Sequence, residues 1–398
     1  MWQKWWQQSG KWVLALVLFW QATILGTSFV VTTFEPFGYQ PSYPLFQLLE
    51  QLPLPACVAR LGGFDGVHYQ TIINHQGYKE IGGIQAFFPL YPLVIWLFNF
   101  LTHQTVISGL LISSLSLFGF IALGQWWLQE KYGTQLSWWW VAVTLCLPGS
   151  FFYLTVYTES LFLFLLVALF YAYDHRRYAW VGVLGILLSA CRIVGIIAVA
   201  ALCLDYLYHA WKSQHMYRWE TLKSVLLIAL GGAGLVTYMS YLYLQFGDPL
   251  MFAHVQADFG AGRDAVHLVA LPQVFWRYLK MCLGGFSSLF EGYRILQELL
   301  MSGFYLMGLL AVSWWGWQQK KPLLPWYLLL FSWGAYLLGP LTGNFQSMTR
   351  YTLVCLSVHV LVAHYFQRKK VVGLTLAATS AVINLVNLML FIEGIFVA

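Results

Sequence analysis

Apolar residues in this chain do not alternate with polar ones. They come in long continuous runs, separated by short polar stretches, from one end of the sequence to the other. A helix needs about 20 apolar residues to cross the hydrocarbon of a bilayer. Only helices or closed barrels satisfy their backbone groups there, and continuous runs select helices. The pattern predicts spans over 12–33, 84–101, 106–127, 135–147, 151–173, 178–204, 222–245, 296–318, 323–340, 351–366 and 371–392, about eleven in all. Three longer polar stretches, 34–83, 205–221 and 246–295, hold the spans apart, and the first and third carry most of the carboxylates. No internal repeat, low-complexity segment or soluble domain is visible, so residues 1–398 read as one all-α, polytopic integral-membrane domain.

Charge gives the expected orientation. Lys4 and Lys11 precede the first run, and Arg176, Arg177, Lys320, Lys321, Arg368, Lys369 and Lys370 sit in short loops. Such loops are cytoplasmic under the positive-inside rule. The first run has no small-residue cleavage site after a short apolar core, which predicts a retained helix. Stretches 34–83 and 246–295 then become the two large extracytoplasmic loops, with 341–350 on the same side. This scheme makes 178–204 go out and return, broken at Cys191-Arg192-Ile193-Val194-Gly195, and makes Pro148-Gly149-Ser150 an outward apex. It also requires one segment between 84 and 135 to be re-entrant.

Composition narrows the chemistry. The chain is 60% hydrophobic and 9% charged, with mean hydropathy +0.66. A net charge of +6 without a clustered basic face excludes nucleic-acid binding. Six scattered cysteines, none in a CxxC pair, give no disulfide or metal framework. The motifs of P-loop, serine-hydrolase and zinc-protease enzymes are absent.

Five short stretches concentrate the polar groups. In Phe64-Asp65-Gly66-Val67-His68-Tyr69, Asp65 and His68 share a helical face. An extracytoplasmic carboxylate there is suited to deprotonate an acceptor hydroxyl, or to cap a short amphipathic helix over 66–73. In "AFFPLYP" (86–92), Pro89 and Pro92 stiffen a helix start, with Phe87, Phe88 and Tyr91 at interfacial depth. In "PGSFFYLTVYTESLF" (148–162), Glu159 lies inside an apolar run with Thr155 on the same predicted helical face. Intramembrane ionisable groups are costly and mark function, with Arg192 as the alternative structural partner. In "GDPLMFAHVQADFGAGR" (247–263), Asp248 fits a cap, while Gln256 and Arg263 are positioned to meet a ligand. In "GNFQSMTRY" (343–351), Ser347, Arg350 and Tyr351 share a face if helical. An extracytoplasmic arginine at a membrane edge runs against the positive-inside bias, and a lipid-linked phosphate would account for it.

The order and spacing of "FDGVHYQTIINHQGY", "AFFPLYP", "PGSFFYLTVYTESLF", "ACRIVG", "GDPLMF" and "SMTRY" resemble the PIG-V-like mannosyltransferases, a branch of the GT-C glycosyltransferases. Phe64 departs from the tryptophan that many relatives carry before the aspartate. The resemblance implies a GT-C-type helix bundle whose first extracytoplasmic loop carries short amphipathic helices. It implies inverting transfer of a sugar, commonly mannose, from a polyprenyl-phosphate donor to an acceptor hydroxyl on a glycan, glycolipid or protein. The chain is shorter than eukaryotic members that build the GPI anchor. It therefore looks like a bacterial relative, in the inner membrane, with its active site on the extracytoplasmic side.

On that reading Asp65 is the catalytic base or orients the acceptor, and His68 and Tyr69 shape its pocket beside Tyr91. Glu159 and Tyr157 position hydroxyls, Arg350 with Arg192 neutralises the departing phosphate, and Gln256, Ser347 and Tyr351 complete the substrate contacts. No nucleotide-diphosphate donor is needed, so neither a divalent metal nor another cofactor is expected. The alternative is a transporter or flippase for a lipid-linked sugar, which would show inverted repeats and paired broken helices; a non-catalytic assembly subunit is a third reading.

The orientation is directly testable. Cysteines placed beside Gly77 and Asn344 should react with an impermeant thiol reagent from outside the cell, and one beside Lys320 should not. External labelling next to Lys320 would reverse the scheme.

Overall fold

The computed structural model describes residues 2–74, 77–79, 82–256, 268–318 and 324–397. Glu80, Arg263, Lys320 and Lys321 lie outside the described residues. The main helices, in chain order, are α1 (Lys11–Phe34), α2 (Asp65–Asn74), α3 (Leu90–Thr102), α4 (Thr105–Tyr132), α5 (Thr134–Cys146), α6 (Glu159–Asp174), α7 (Tyr178–Cys191) and α8 (Val194–Lys212). They continue with α9 (Trp219–Ala229), α10 (Ala233–Phe246), α11 (Leu271–Gly284), α12 (Leu289–Gln318), α13 (Trp326–Leu338), α14 (Leu356–Arg368) and α15 (Lys370–Ile392). No strand occurs among the described residues.

Among the described residues, six helices are long and apolar enough to cross a membrane: Trp6–Phe34, Thr105–Tyr132, Val194–Lys212, Trp219–Phe246, Leu289–Gln318 and Lys370–Ile392. Helices α3 and α7 are apolar but shorter. The 13 residues of α5 or α13 rise only about 20 Å, against roughly 30 Å of hydrocarbon. Against the eleven expected segments, the described residues thus hold six helices of spanning length, and others are short or interrupted. The clearest difference from the sequence pattern is 151–173. It is not one helix but a 3-10 turn over Ser150–Leu154, a non-helical stretch through Thr158, and then α6.

Side-chain exposure is the reverse of a water-soluble fold. Phe19 is 71% exposed, Phe34 75% and Val371 79%, whereas Gln125, Asn384 and Asn387 are buried. Large apolar groups facing out and amides facing in fit a lipid surround, where polar side chains are placed against other helices. These features are those of a multi-pass membrane protein.

The chain divides into two compact units. The first comprises residues 1–80, 91–164 and 362–398. Here α1 packs on α15 and α4, and α4 on α5. Asn384 accepts a hydrogen bond from the Phe151 backbone at 2.8 Å, and the Asn387 amide donates to the Pro148 carbonyl at 2.9 Å, so α15 fixes the turn before the interrupted segment. The residues after α15 hold the first loop. Gln40 N–H donates to the Glu393 carbonyl at 2.8 Å, Ser42 N–H to that of Gly394 at 3.1 Å, and Phe37 N–H to the buried Glu393 carboxylate at 3.0 Å.

The second unit comprises residues 81–90 and 165–361. Helix α7 packs against α8, α9 and α10, and α13 packs on α8 and α12. The α7 contact is built from small residues. A Cβ on Gly185 would come within 2.7 Å of the Gly231 Cα, and one on Gly234 would overlap the Ile186 carbonyl oxygen. The Ser189 hydroxyl donates to the Gly231 carbonyl at 2.7 Å. Close approach through glycine and serine is a membrane-helix device, because it gains dispersion contact where no hydrophobic driving force exists.

Gly234→Ala is therefore expected to destabilise by about 1–3 kcal/mol, the usual cost of overpacking. It should lower the melting temperature in detergent. Gly303→Ala in α12, where a Cβ meets nothing within 4 Å, should leave it unchanged or slightly raised. Equal melting of the two variants would refute the tight contact.

Candidate functional site

In the first unit the site is organised around Thr155-Val156-Tyr157-Thr158. Two threonines, a valine and a tyrosine favour extended backbone over helix, and Thr155 is extended at φ −103°, ψ 172°. The stretch is buried, so its peptide groups need partners. Val156 N–H donates to the Leu61 carbonyl at 3.1 Å. The Ser113 hydroxyl of α4 lies 2.8 Å from the Thr155 carbonyl and 3.4 Å from that of Tyr157. The Tyr91 hydroxyl lies 2.9 Å from the same Ser113 oxygen and 3.2 Å from the Gly109 carbonyl. Val156 fits because Gly66 and Gly109 face it; a Cβ on Gly109 would come within 2.6 Å of a Val156 methyl.

That backbone carries Tyr157 to α2. The Asp65 N–H donates to the Tyr157 hydroxyl at 3.2 Å. Asp65 is the first residue of α2, one position earlier than the expected capped helix. The turn into α2 needs Phe64 at φ +51°, a left-handed conformation rare for bulky residues. Its ring is wedged between Tyr43, 4.3 Å away between centroids, and Phe391, 5.1 Å away. Phe64 is thus held by aromatic packing on both sides. Tyr43 in turn sits near Tyr39, which lies under the Arg60 guanidinium at 3.8 Å, and Arg60 pairs with Glu35 at 2.7 Å.

Between residues 61 and 72 every position is buried except Asp65, which is half-buried. His68 lies one turn on and is buried. Burial holds its imidazole below the ordinary histidine range, and the Asp65 carboxylate opposes that shift. Tyr69 packs edge-on against Tyr91 with centroids 5.0 Å apart. Glu159 opens α6 two residues after Tyr157 and is fully buried. Thr155 does not share a helix with it, as the sequence suggested. Its hydroxyl donates back to the Phe152 carbonyl at 3.1 Å. Asp65, His68, Tyr69, Tyr91, Tyr157 and Glu159 therefore belong to one unit, in which Ser113, which the sequence did not single out, joins Tyr91 to the Thr155–Tyr157 backbone.

The remaining candidates lie in the second unit. Arg192 occupies the break between α7 and α8, extended at φ −154°, ψ 149°. Its guanidinium stands over the Tyr351 ring at 5.9 Å. Arg350 and Tyr351 lie on the single turn Met348–Tyr351. Ser347 precedes that turn at φ +66°, and its carbonyl accepts both the Arg350 and Tyr351 N–H groups, at 3.0 and 2.9 Å. Ser347 thus serves through its backbone.

The loop before it is pinned by residues missed in the sequence. The Tyr278 hydroxyl donates to the buried Glu298 carboxylate at 2.7 Å and accepts the Phe345 N–H at 3.1 Å. Arg277 donates to the Gly343 carbonyl at 3.1 Å. Glu298 satisfies the criterion that picked out Glu159, a carboxylate within an apolar run. Two other candidates are engaged locally. The Gln256 amide donates to the Phe252 carbonyl at 3.2 Å, and Asp248 accepts the Leu250 N–H at 2.9 Å and pairs with His254 at 2.6 Å, as a cap does.

No family model matches the chain, and no curated protein matches it. The chemistry of these two clusters therefore rests on their own geometry.

The His68 environment gives a signed expectation. A native histidine with a depressed pKa binds fewer protons than the unfolded chain. Its contribution to stability is present above the unfolded value, about 6.5, and is lost as pH falls through it. Because Asp65 raises the His68 pKa, Asp65→Asn should move the His68 titration still lower in carbon-13 histidine NMR. An upward move would contradict the placement.

Proposed function

We propose that this protein is an inverting GT-C-type glycosyltransferase, moving a sugar such as mannose from a polyprenyl-phosphate donor to an acceptor hydroxyl on the extracytoplasmic side of a bacterial inner membrane. The observation that carries the reading is Asp65: the one position left partly open in an otherwise buried segment holds a carboxylate. A base must be both accessible to its substrate and held in place, and the Tyr157 hydroxyl on the Asp65 N–H supports the second requirement.

In this mechanism Asp65 takes the proton of the acceptor hydroxyl as its oxygen attacks the anomeric carbon. The bond from that carbon to the phosphate oxygen breaks, its electron pair leaves with the prenyl phosphate, and configuration inverts. Burial beside Asp65 disfavours the charged form of His68, which shapes the pocket of the base. Glu159 and Tyr157 position hydroxyls from a buried stretch, Tyr157 through its hydrogen bond to the backbone of Asp65. Arg350 and Arg192 are only partly buried and stabilise the charge developing on the departing phosphate, where fixed cations lower a barrier strongly. Apolar helix faces hold the prenyl chain, each buried CH₂ contributing roughly 0.8 kcal/mol.

The test is transfer of radiolabelled sugar from a prenyl-phosphate donor by purified protein. Asp65→Asn should fold normally and lose about 10²–10⁴-fold in rate. Arg350→Lys keeps the charge without the bidentate fork and should retain part of the activity, with Arg350→Ala losing far more. The loss should fall on kcat with little change in donor KM. Movement of the donor across vesicles without sugar transfer would favour a transporter. Normal turnover in a well-folded Arg350→Ala protein would remove the phosphate role.

A further inference from the structure

A groove of about 610 Å³ lies in the second unit, lined among others by Arg176, Arg177, Trp180, Glu220, Lys223 and Leu227, and by none of Arg192, Arg350 and Tyr351. Its walls are the turn between α6 and α7 and the first turns of α7 and α9, which pack together. All three elements lead directly into apolar helices, so the groove sits where such helices meet the polar interface.

Its charge is unbalanced. Arg176, Arg177 and Lys223 are exposed, and none makes an ion pair among the described residues; Glu220 is the single acid on the lining. The nearest acids of the helix ends are engaged elsewhere. Asp174 accepts the Tyr327 hydroxyl at 2.8 Å, and Asp205 accepts that of Tyr173 at 2.8 Å and lies 3.8 Å from His209. The turn itself is fixed: Arg176 is left-handed at φ +56°, with its N–H on the Tyr173 carbonyl at 2.9 Å, and Arg177 N–H reaches the Ala172 carbonyl at 2.9 Å. Two guanidinium groups are therefore presented from a rigid backbone.

The other half of the groove is apolar. Trp180 is 61% exposed, and Trp211, Trp219 and Tyr217 of the same unit are also strongly exposed. Exposed tryptophan and tyrosine at the ends of apolar helices are the side chains that settle at headgroup level. Cations above an apolar wall match one ligand chemistry, a phosphate ester joined to a hydrocarbon chain. We infer that this groove binds the headgroup of an anionic phospholipid, on the face that the charge pattern assigns to the cytoplasm, with the phosphate on Arg176, Arg177 and Lys223 and the glycerol and first methylenes along Trp180 and Leu227. A basic pocket between membrane helices on that side is a recognised form of lipid site.

The full-length protein in neutral detergent, given equal phosphatidylglycerol and phosphatidylcholine of the same acyl chains, tests this by native mass spectrometry. The wild type should retain phosphatidylglycerol preferentially. Each cation removed near a membrane surface weakens anionic-lipid binding by roughly fivefold. The triple variant Arg176→Ala, Arg177→Ala, Lys223→Ala should therefore lose about a hundredfold, while Arg176→Lys with Arg177→Lys keeps most of the preference. Lys223→Glu, a single change at an exposed position, gives an independent arm should the triple variant fold poorly, and it should weaken retention. Equal retention of both lipids, or an unchanged preference in the charge-removed variants, overturns the inference. So does displacement of the lipid by millimolar inorganic phosphate, which would make free phosphate the occupant.

Discussion

The structure turns on four peptide groups that have left the helix inside an apolar interior. An amide carried out of water without a partner costs roughly 2–7 kcal/mol, so Thr155–Thr158 can stay unwound only where something else bonds to it. The Leu61 carbonyl and the Ser113 hydroxyl meet that demand, and each ties a different element to the stretch. The first loop and α4 are thereby fixed against the start of α6. Asp65, Tyr91, Tyr157 and Glu159 owe their places to this one requirement.

The second unit meets the same requirement with different groups. The non-helical run around Gly343 to Ser347 is held by Arg277 and by Tyr278, itself anchored on Glu298. Irregular backbone at membrane depth is tolerated where it is enclosed by protein or lines a wet cavity. In both units an ionisable residue lies in the first turn after the irregular stretch, Glu159 opening α6 in one and Arg350 within the single turn Met348–Tyr351 in the other.

Much of this was legible in the residues, and what was not has a common cause. Long apolar runs report helices well, because in lipid the backbone has few alternatives; the break at Arg192 showed because a charge interrupts the run. The break at Thr155 did not show, since threonine, valine and tyrosine put no charge into the apolar run. Only their β-branched and aromatic character signals it. Asp65 and His68 were visible as a polar pair, whereas Ser113 was one serine among several in α4. Its role exists only because Tyr91 and Thr155 arrive beside it from elsewhere in the chain. Glu298 was within reach of the same criterion as Glu159.

The hydrogen bond from Phe37 to Glu393 joins residues 356 positions apart. During synthesis, at about 5–20 residues per second, the first loop therefore leaves the ribosome roughly 20–70 s before the segment that closes over it. Throughout that interval Phe64 lacks Phe391 and Phe396, two of its aromatic neighbours, and the left-handed turn into α2 lacks that part of its support. The polar cluster around Asp65 is thus made well before its aromatic support arrives. Its completion waits on insertion of α15, which ties assembly of the site to a helix distant from it in sequence.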